Sequence, residues 1–377
     1  MWSETRLTGW KDKVLFTPGP LTTSRTVKQA MLRDLGSRDY EFIDLVKEIR
    51  NKLVELCKAG PEEYTAVLMQ GSGTFGLEAV VASTVPRDGK LMVIINGAYG
   101  RRISRIASVL GIEVVEVEFS ENSVPDLGRI EAALEADSRV SQVCVVHCET
   151  TTGIVNPIEQ IGRVVKRYQA DYFVDAMSSF GAIPIDVGEC GIDYLVSSAN
   201  KCIEGVPGFS FIICKIGSLR RTAGYGRSVS LNLLEQYEGF ETNGQFRFTP
   251  PTHALIGFRQ ALAELEAEGG VEGRAKRYQS NHKALVNGMR QMGFREYIRP
   301  ENQGYIITSF LYPDDDNFHF EEFYERLNEK GYVIYPGKVS SAECFRIGSI
   351  GRIFESDIRD LLRAIRQTIG EMGVKLG

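Results

Sequence analysis

The chain has 377 residues, 43% hydrophobic and 25% charged, an ordinary globular balance with material for a sizeable core and more than one domain. Its formal net charge of −5 and the absence of any basic block argue against a nucleic-acid or anionic-membrane partner. No apolar run approaches the roughly 20 residues of a membrane span, and the opening MWSETRLTGWKDKVLF lacks the apolar core of a secretory signal.

Regular texture begins near residue 64. Short apolar runs follow at 64–69 (YTAVLM), 90–96 (KLMVIIN), 113–119 (EVVEVEF), 141–149 (SQVCVVHCE), 171–177 (DYFVDAM), 193–198 (DYLVSS) and 209–214 (FSFIIC). Most are rich in Val and Ile at consecutive positions, as strands buried on both faces should be. Amphipathic segments such as TFGLEAVVASTV and PIEQIGRVVKRYQ lie between several of them. The alternation predicts a mostly parallel seven-stranded sheet with helices on both faces.

After about residue 252 the texture changes. THALIGFRQALAELEAEGG and RAKRYQSNHKALVNGMRQMG read as two long helices, the first stopped by paired glycines. GYIITSFLY, YVIYPGK and CFRIGSIG then alternate with EEFYERLNEKG and ESDIRDLLRAIRQTIGEMG, which predicts a smaller α+β unit. Residues 21–252 are thus expected to form a large α/β domain and 253–377 the connecting helices and small domain, with 1–20 packing on the small domain. Ligands favour the crevice between such units and the carboxyl ends of parallel strands.

Seven cysteines, at positions 57, 144, 148, 190, 202, 214 and 344, form an odd set with no CxxC, and the four histidines show no metal spacing. No metal site is expected. Most of the cysteines sit in apolar runs as small hydrophobes, which fits a reduced, cytoplasmic setting.

Three strand ends of the large domain finish in polar groups of complementary type. VLMQGSGTFGLEA runs from a strand through Ser72, Gly73 and Thr74 into a helix. Such a turn can aim N–H groups and hydroxyls at a phosphate, although a generic strand-to-helix turn reads the same way. It lacks the lysine of a P-loop and the full GxGxxG of a dinucleotide fold. DYFVDAMSSFG ends a buried run in Asp175, a costly place for a carboxylate without a cation or donor to meet it. A helix cap or an internal ion pair is the alternative. Lys201 follows 26 residues later, at the end of the next strand, among small residues in SSANKCIEGVPGF. Alone it reads as a lysine snorkelling out of a loop. Together, a phosphate cradle, a buried acid and a nucleophilic amine are what pyridoxal 5′-phosphate requires.

The chain resembles the class V aminotransferase family of fold-type I pyridoxal-phosphate enzymes over nearly its whole length. The resemblance rests on LFTPGPLTTSRTVKQAML, GSRDYEF, GSGTFGLEA, CETTTGIVNPIE, VDAMSSFGAIPID, SSANKCIEGVPGF, RFTPPTHAL, YPGKVS and CFRIGSIG. It implies that Lys201 bonds to the cofactor, that Asp175 pairs with its pyridine nitrogen, and that Ser72, Gly73 and Thr74 cradle its phosphate. Tyr99, in NGAYG, matches the aromatic residue stacked on the cofactor ring, though a strand-end core role is the plain alternative. Thr150, in CETTTG, matches a partner of the phenolic oxygen. Thr249, in RFTPP, matches a phosphate contact made from the other subunit of a homodimer. Arg346, in CFRIGS, matches the arginine that receives the substrate's acidic group. Arg38, in GSRDYEF, is a second candidate, since a dianionic head group is better met by more than one donor.

Within the family, SSANKCIEGVPGF and VIYPGKVSSAECFRIG resemble the members that act on a phosphonate. The implied reaction moves the amino group of 2-aminoethylphosphonate to pyruvate, giving phosphonoacetaldehyde and L-alanine. Alanine–glyoxylate or serine–pyruvate exchange is the nearest rival, because a carboxylate donor would use the same Arg346. A cysteine desulfurase would need a mobile exposed cysteine, and Cys344 lies in an apolar run. A non-catalytic binding protein leaves Lys201 unexplained.

Overall fold

A computed structural model describes residues 12–337, 339 and 342–376. Residues 1–11 of the expected N-terminal segment, and Lys338, Ser340 and Ser341 in and after YPGKVS, lie outside the described residues.

The seven apolar runs form one sheet. Its strands are β1 (Tyr64–Gln70), β2 (Lys90–Ile95), β3 (Glu113–Glu118), β4 (Val140–Val146), β5 (Asp171–Asp175), β6 (Tyr194–Ser198) and β7 (Phe209–Lys215). Their spatial order is β1-β7-β6-β5-β4-β2-β3. Only β7 runs against its neighbours, pairing antiparallel with both β1 and β6, and the other pairs are parallel. The carboxyl ends of β1, β5 and β6 therefore share one edge of the sheet.

Consecutive branched residues mark the inner strands because both faces are covered: Val67, Leu68, Val93, Ile94, Val145, Phe173 and Leu195 are all buried in one core. EVVEVE behaves differently. It is the edge strand β3, and Glu113, Val114, Val115, Glu116 and Glu118 all keep some exposure, so its glutamates face water and discourage edge pairing. The run at 141–149 also divides. β4 stops at Val146, and Cys148–Glu149 pairs instead with Ile154–Val155. His147 makes the break, donating its amide to the Asp175 carbonyl (2.8 Å) and accepting from Asn156 (2.7 Å).

Helix Tyr40–Glu55 (α1) covers β1, and helices Gly73–Thr84 (α2) and Ala98–Val109 (α3) follow β1 and β2. Helix Thr252–Ala267 (α4) buries Leu255, Phe258 and Leu265 in the same large core. Helix Gly270–Gln291 (α5) leads onward, with Leu285, Val286 and Met289 in a second core. That core lies under a three-stranded antiparallel sheet of β8 (Ile307–Leu311), β10 (Cys344–Gly348) and β9 (Tyr335–Pro336), in that order. Val14–Leu15 pairs with Tyr332–Val333, and Phe16 joins the second core. Leu21, Cys148, Cys202, Tyr278, Ile306 and Ile350 form a small cluster between the two cores. All seven cysteines are buried, and no described helix is long and apolar enough to cross a membrane.

Phe345 on β10 is fully buried among the rings of Phe294, Phe310 and Phe323, with centroids 5.3–5.9 Å away. Phe345→Ala is expected to cost about 3–5 kcal/mol in the small unit, the usual range for a truncated core aromatic. Urea unfolding followed by tyrosine fluorescence and circular dichroism would show it. A loss below about 1 kcal/mol, the level of an exposed site, would mean that the ring cluster closes the gap.

Candidate active site

The site is assembled from loops at that shared sheet edge. Ser72 is the N-cap of α2, yet its side chain makes no cap hydrogen bond. The first-turn amides of a helix have no internal acceptors, so the hydroxyl and the Gly73 and Thr74 backbone form a donor cradle suited to an anion. Gly73 packs closely here: a Cβ would displace the Met177 thioether. The cradle thus lies directly against the loop that follows Asp175.

Asp175 closes β5 at 1% exposure, and one carboxylate oxygen accepts from the Met177 amide at 2.9 Å. Burial pushes its carboxyl up to about 6, opposed by that amide and by the positive fields of Lys201 and Arg102. Lys201 lies beyond the end of β6, and burial pulls its amine down to about 8. The amine donates to the Pro18 carbonyl at 2.6 Å. Gly19, at φ +126°, lets the FTPGP segment cross so closely that a Cβ would meet Lys201 at 2.9 Å. Asp175 and Lys201 are near enough for each to favour the other's charged form.

Tyr99 stands in the first turn of α3. Burial raises its phenol, opposed first by Arg346 and then by Arg102. The Thr150 hydroxyl shares a hydrogen bond with Ser178 (2.7 Å), in the loop after Asp175. Its carbonyl accepts from Arg346 Nη1 at 3.0 Å. Arg346, 1% exposed on β10, also donates from Nε to the Pro336 carbonyl at 2.9 Å. The small sheet therefore delivers one buried guanidinium to the loops of the large unit. A guanidinium carries five N–H donors, so these two bonds leave others for an acidic ligand.

The structure brings Ser72–Thr74, Tyr99, Thr150, Asp175, Lys201 and Arg346 to one place. Arg38 and Thr249 are exposed instead, Arg38 in the turn before α1 and Thr249 in the stretch before α4. The Gln70 side chain bonds the Phe248 carbonyl at 2.9 Å and the Thr249 carbonyl at 3.3 Å, which draws that stretch toward the start of the anion turn.

Three further residues belong to the neighbourhood. Arg102 stacks its guanidinium 4.7 Å from the Tyr99 ring centre, and Nη1 lies 3.5 Å from Thr74 Oγ1. Its spacing of three from Tyr99 on a helix was the available signal. His147 is buried, bonded through Nδ1 to Ser179 Oγ at 2.9 Å, and burial pulls it down to about 4, so the imidazole is neutral. Glu149 is fully buried, its Oε1 accepting from the Thr151 amide and hydroxyl at 3.2 and 2.8 Å, and burial pushes it up to about 7. Charged or titratable residues inside the apolar run QVCVVHCE were the clue to both.

A helix N-terminus whose Ser72 hydroxyl makes no cap bond, a buried acid and a buried amine fit a group bearing a phosphate, a basic ring nitrogen and an aldehyde. Comparison with known proteins agrees. Residues 22–353 match the family described as Aminotransferase class-V. The chain is 51% identical over 360 residues to a 2-aminoethylphosphonate–pyruvate transaminase of Vibrio vulnificus (strain CMCP6), covering 95% of this chain and 98% of the relative. It is 50% identical over 357 residues to the enzyme of the same name from Bacillus cytotoxicus, covering 94% and 98%. Among solved structures, pyridoxamine–pyruvate aminotransferase from Mesorhizobium loti superposes with a TM-score of 0.88 at 24% identity, covering 97% of this chain and 94% of the other. An alanine–glyoxylate aminotransferase from Nostoc sp. superposes at 0.89 with 23% identity, covering 97% and 98%. At that identity the structural likeness speaks for the fold alone.

Proposed function

The chain belongs to the class V aminotransferase family, and from that membership we propose that it transfers the amino group of 2-aminoethylphosphonate to pyruvate, giving phosphonoacetaldehyde and L-alanine. The observation that carries this reading is half-sequence identity, over nearly the full length of both chains, with transaminases of that name.

Pyridoxal 5′-phosphate, when bound, supplies the electron sink for the carbon that loses its proton and carries the amino group between the two substrates. Ser72, Gly73 and Thr74 hold its phosphate at the start of α2, with Arg102 beside Thr74 as a balancing charge. Asp175 would keep a proton on the ring nitrogen. Tyr99 would pack against the ring, and Thr150 would hold the phenolic oxygen. Lys201 would anchor the aldehyde, and its amine would take up and return the proton of the amine-bearing carbon. An amine held near 8 suits both roles, since its neutral form is within reach at physiological pH. Arg346 grips the phosphonate in one half-reaction and the pyruvate carboxylate in the other, with Arg38 as a second phosphonate donor.

The working form is a cytoplasmic homodimer with Thr249 of each subunit serving the other's phosphate. Phe75, 52% exposed beside the anion turn, and Phe248, 44% exposed beside Thr249, are apolar surface that a second copy would cover.

The test is the visible absorbance of the cofactor-loaded protein as 2-aminoethylphosphonate, L-alanine or L-serine is added without keto acid. The phosphonate should deplete the aldehyde form far faster than serine, and pyruvate should restore it. Faster depletion by serine would overturn the substrate assignment. Arg346→Ala should keep the starting spectrum and lose about 10²–10³-fold in kcat/KM for the phosphonate, the loss usual for truncating a desolvated charge partner. Arg346→Lys should recover only part of it, having no fork.

A further inference from the structure

The turn that presents Lys201 ends in a carboxylate for which the proposed reaction has no use. Glu204 is 2% exposed and adopts φ +66°, a left-handed conformation that a non-glycine residue keeps only where its surroundings impose it. Its amide donates to the Lys201 carbonyl at 2.7 Å, closing the turn.

What imposes that conformation comes from α5. Glu204 Oε1 accepts from the Tyr278 hydroxyl at 2.5 Å and from Arg277 Nη2 at 2.7 Å, and Arg274 Nη1 lies 3.4 Å away. Arg274 is fully buried and also donates to the Cys202 carbonyl, one residue past Lys201, at 2.5 Å. Glu268, at the end of α4, completes the cluster by accepting from Arg274 Nε at 2.7 Å and Arg277 Nε at 2.6 Å. Two buried guanidinium groups thus face two carboxylates, and removing either acid leaves an uncompensated positive charge.

The same side chains also reach the small unit. Arg277 Nη1 donates to the Gly351 and Ile353 carbonyls at 2.5 and 3.1 Å, and the Tyr278 hydroxyl accepts from the Gly351 amide at 3.1 Å. Gly351 lies three residues past the end of β10, the strand that carries Arg346. A short chain of polar contacts therefore runs from the Lys201 turn, through Glu204, Tyr278 and Arg277, to the segment following the Arg346 strand. We infer that Glu204 is a positioning residue for the transamination: its carboxylate, gripped by Arg277 and Tyr278, holds the Lys201 turn in register with the strand that presents Arg346. This rests on the roles proposed above for Lys201 and Arg346.

The carboxamide of Glu204→Gln can still accept from Tyr278 and Arg277 while losing the charge. Tyr278→Phe removes the hydroxyl that joins Glu204 to the Gly351 amide and leaves the charge and the Arg277 contacts in place. Neither residue lies in the phosphate cradle, so both variants should still load the cofactor, and rates are compared at saturating cofactor. The half-reaction rate at saturating donor should fall by about tenfold in Glu204→Gln and severalfold in Tyr278→Phe, with the double variant no worse than Glu204→Gln because both act on one linkage. In Glu204→Gln the pH midpoint of the lysine–cofactor visible band should move down, since the arginines then face one carboxylate fewer. In the cofactor-free protein, the pH dependence of Lys201 labelling by trinitrobenzenesulfonate should move the same way. An unmoved midpoint and a rate within twofold in a folded Glu204→Gln protein would overturn the inference. So would a loss that tracks only melting temperature and cofactor affinity. If Glu204→Gln does not fold, Tyr278→Phe decides the matter by its rate. If the parent does not turn over the phosphonate, the band and the labelling still read the Lys201 turn, so the two failures are told apart.

Discussion

Lys201→Ala is expected to lower transamination by about 10⁴-fold or more, because one side chain supplies both the covalent anchor and the base, and general-base catalysis alone is commonly worth 10²–10⁴-fold. The environment of Lys201 explains why no neighbour replaces it. Burial holds its amine at about 8, and the Pro18 carbonyl at 2.6 Å fixes where the nitrogen sits. The other buried groups nearby, His147 and Glu149, are bonded to Ser179 and Thr151. Single-turnover absorbance changes with 2-aminoethylphosphonate would measure the loss. A variant retaining a tenth of the parent rate would remove Lys201 from the mechanism. Replacing the same lysine by a neutral side chain of similar length carries a stability prediction of opposite sign. The folded amine titrates below its ordinary 10.5, so the unfolded chain binds more protons between about pH 8 and 10.5, and stability rises with pH across that window. Below it the penalty of a buried ammonium is full. The cofactor-free Lys201→Met protein is therefore expected to melt no lower than the parent at pH 7, and any advantage should shrink by pH 10.

The contrast between the legible and hidden parts of this site has a physical cause. Lys201, Asp175 and the Ser72–Thr74 turn could be found because each is a polar group placed at the end of an apolar strand, where burial costs free energy that a function must justify. The seven strands could be found because burial on both faces demands consecutive apolar residues, and the exception, EVVEVE, carries its edge position in its glutamates. What stayed hidden are contacts between residues far apart in the chain. Pro18 touches Lys201 across 183 positions, Arg346 bonds Thr150 across 196, and Glu204 meets Tyr278 across 74. No local period or spacing encodes such pairs, because they follow from how the large and small units are set against each other. Arg38 and Thr249 show the complementary limit. Both are exposed in a single chain, and the role proposed for Thr249 requires a second copy.

Asp175→Asn should separate charge from shape at the other pole of the site. Asparagine can keep the Oδ1 bond to the Met177 amide, so the loop that packs on Gly73 need not move. Only the negative charge is lost, and with it the means of holding a proton on the cofactor's ring nitrogen. Breaking a buried charge pair usually costs 3–5 kcal/mol, which here corresponds to about 10³-fold in the rate of amino transfer. Stability should again move the other way. Burial raises the Asp175 carboxyl from 3.8 to about 6 in the cofactor-free protein, so its contribution is fully present below pH 3.8 and is lost as pH rises through 6. Asparagine carries no such penalty, and the cofactor-free variant should gain on the parent in melting temperature between pH 5 and pH 7.5. A variant within tenfold of the parent rate would mean that the ring nitrogen needs no anionic partner. A slow variant whose melting advantage does not grow with pH would mean that Asp175 is already ionised at pH 5 in the folded chain. The expected pairing, a slower reaction in a more stable fold, is what a site should show when its two central charges are buried for chemistry at the expense of the empty scaffold.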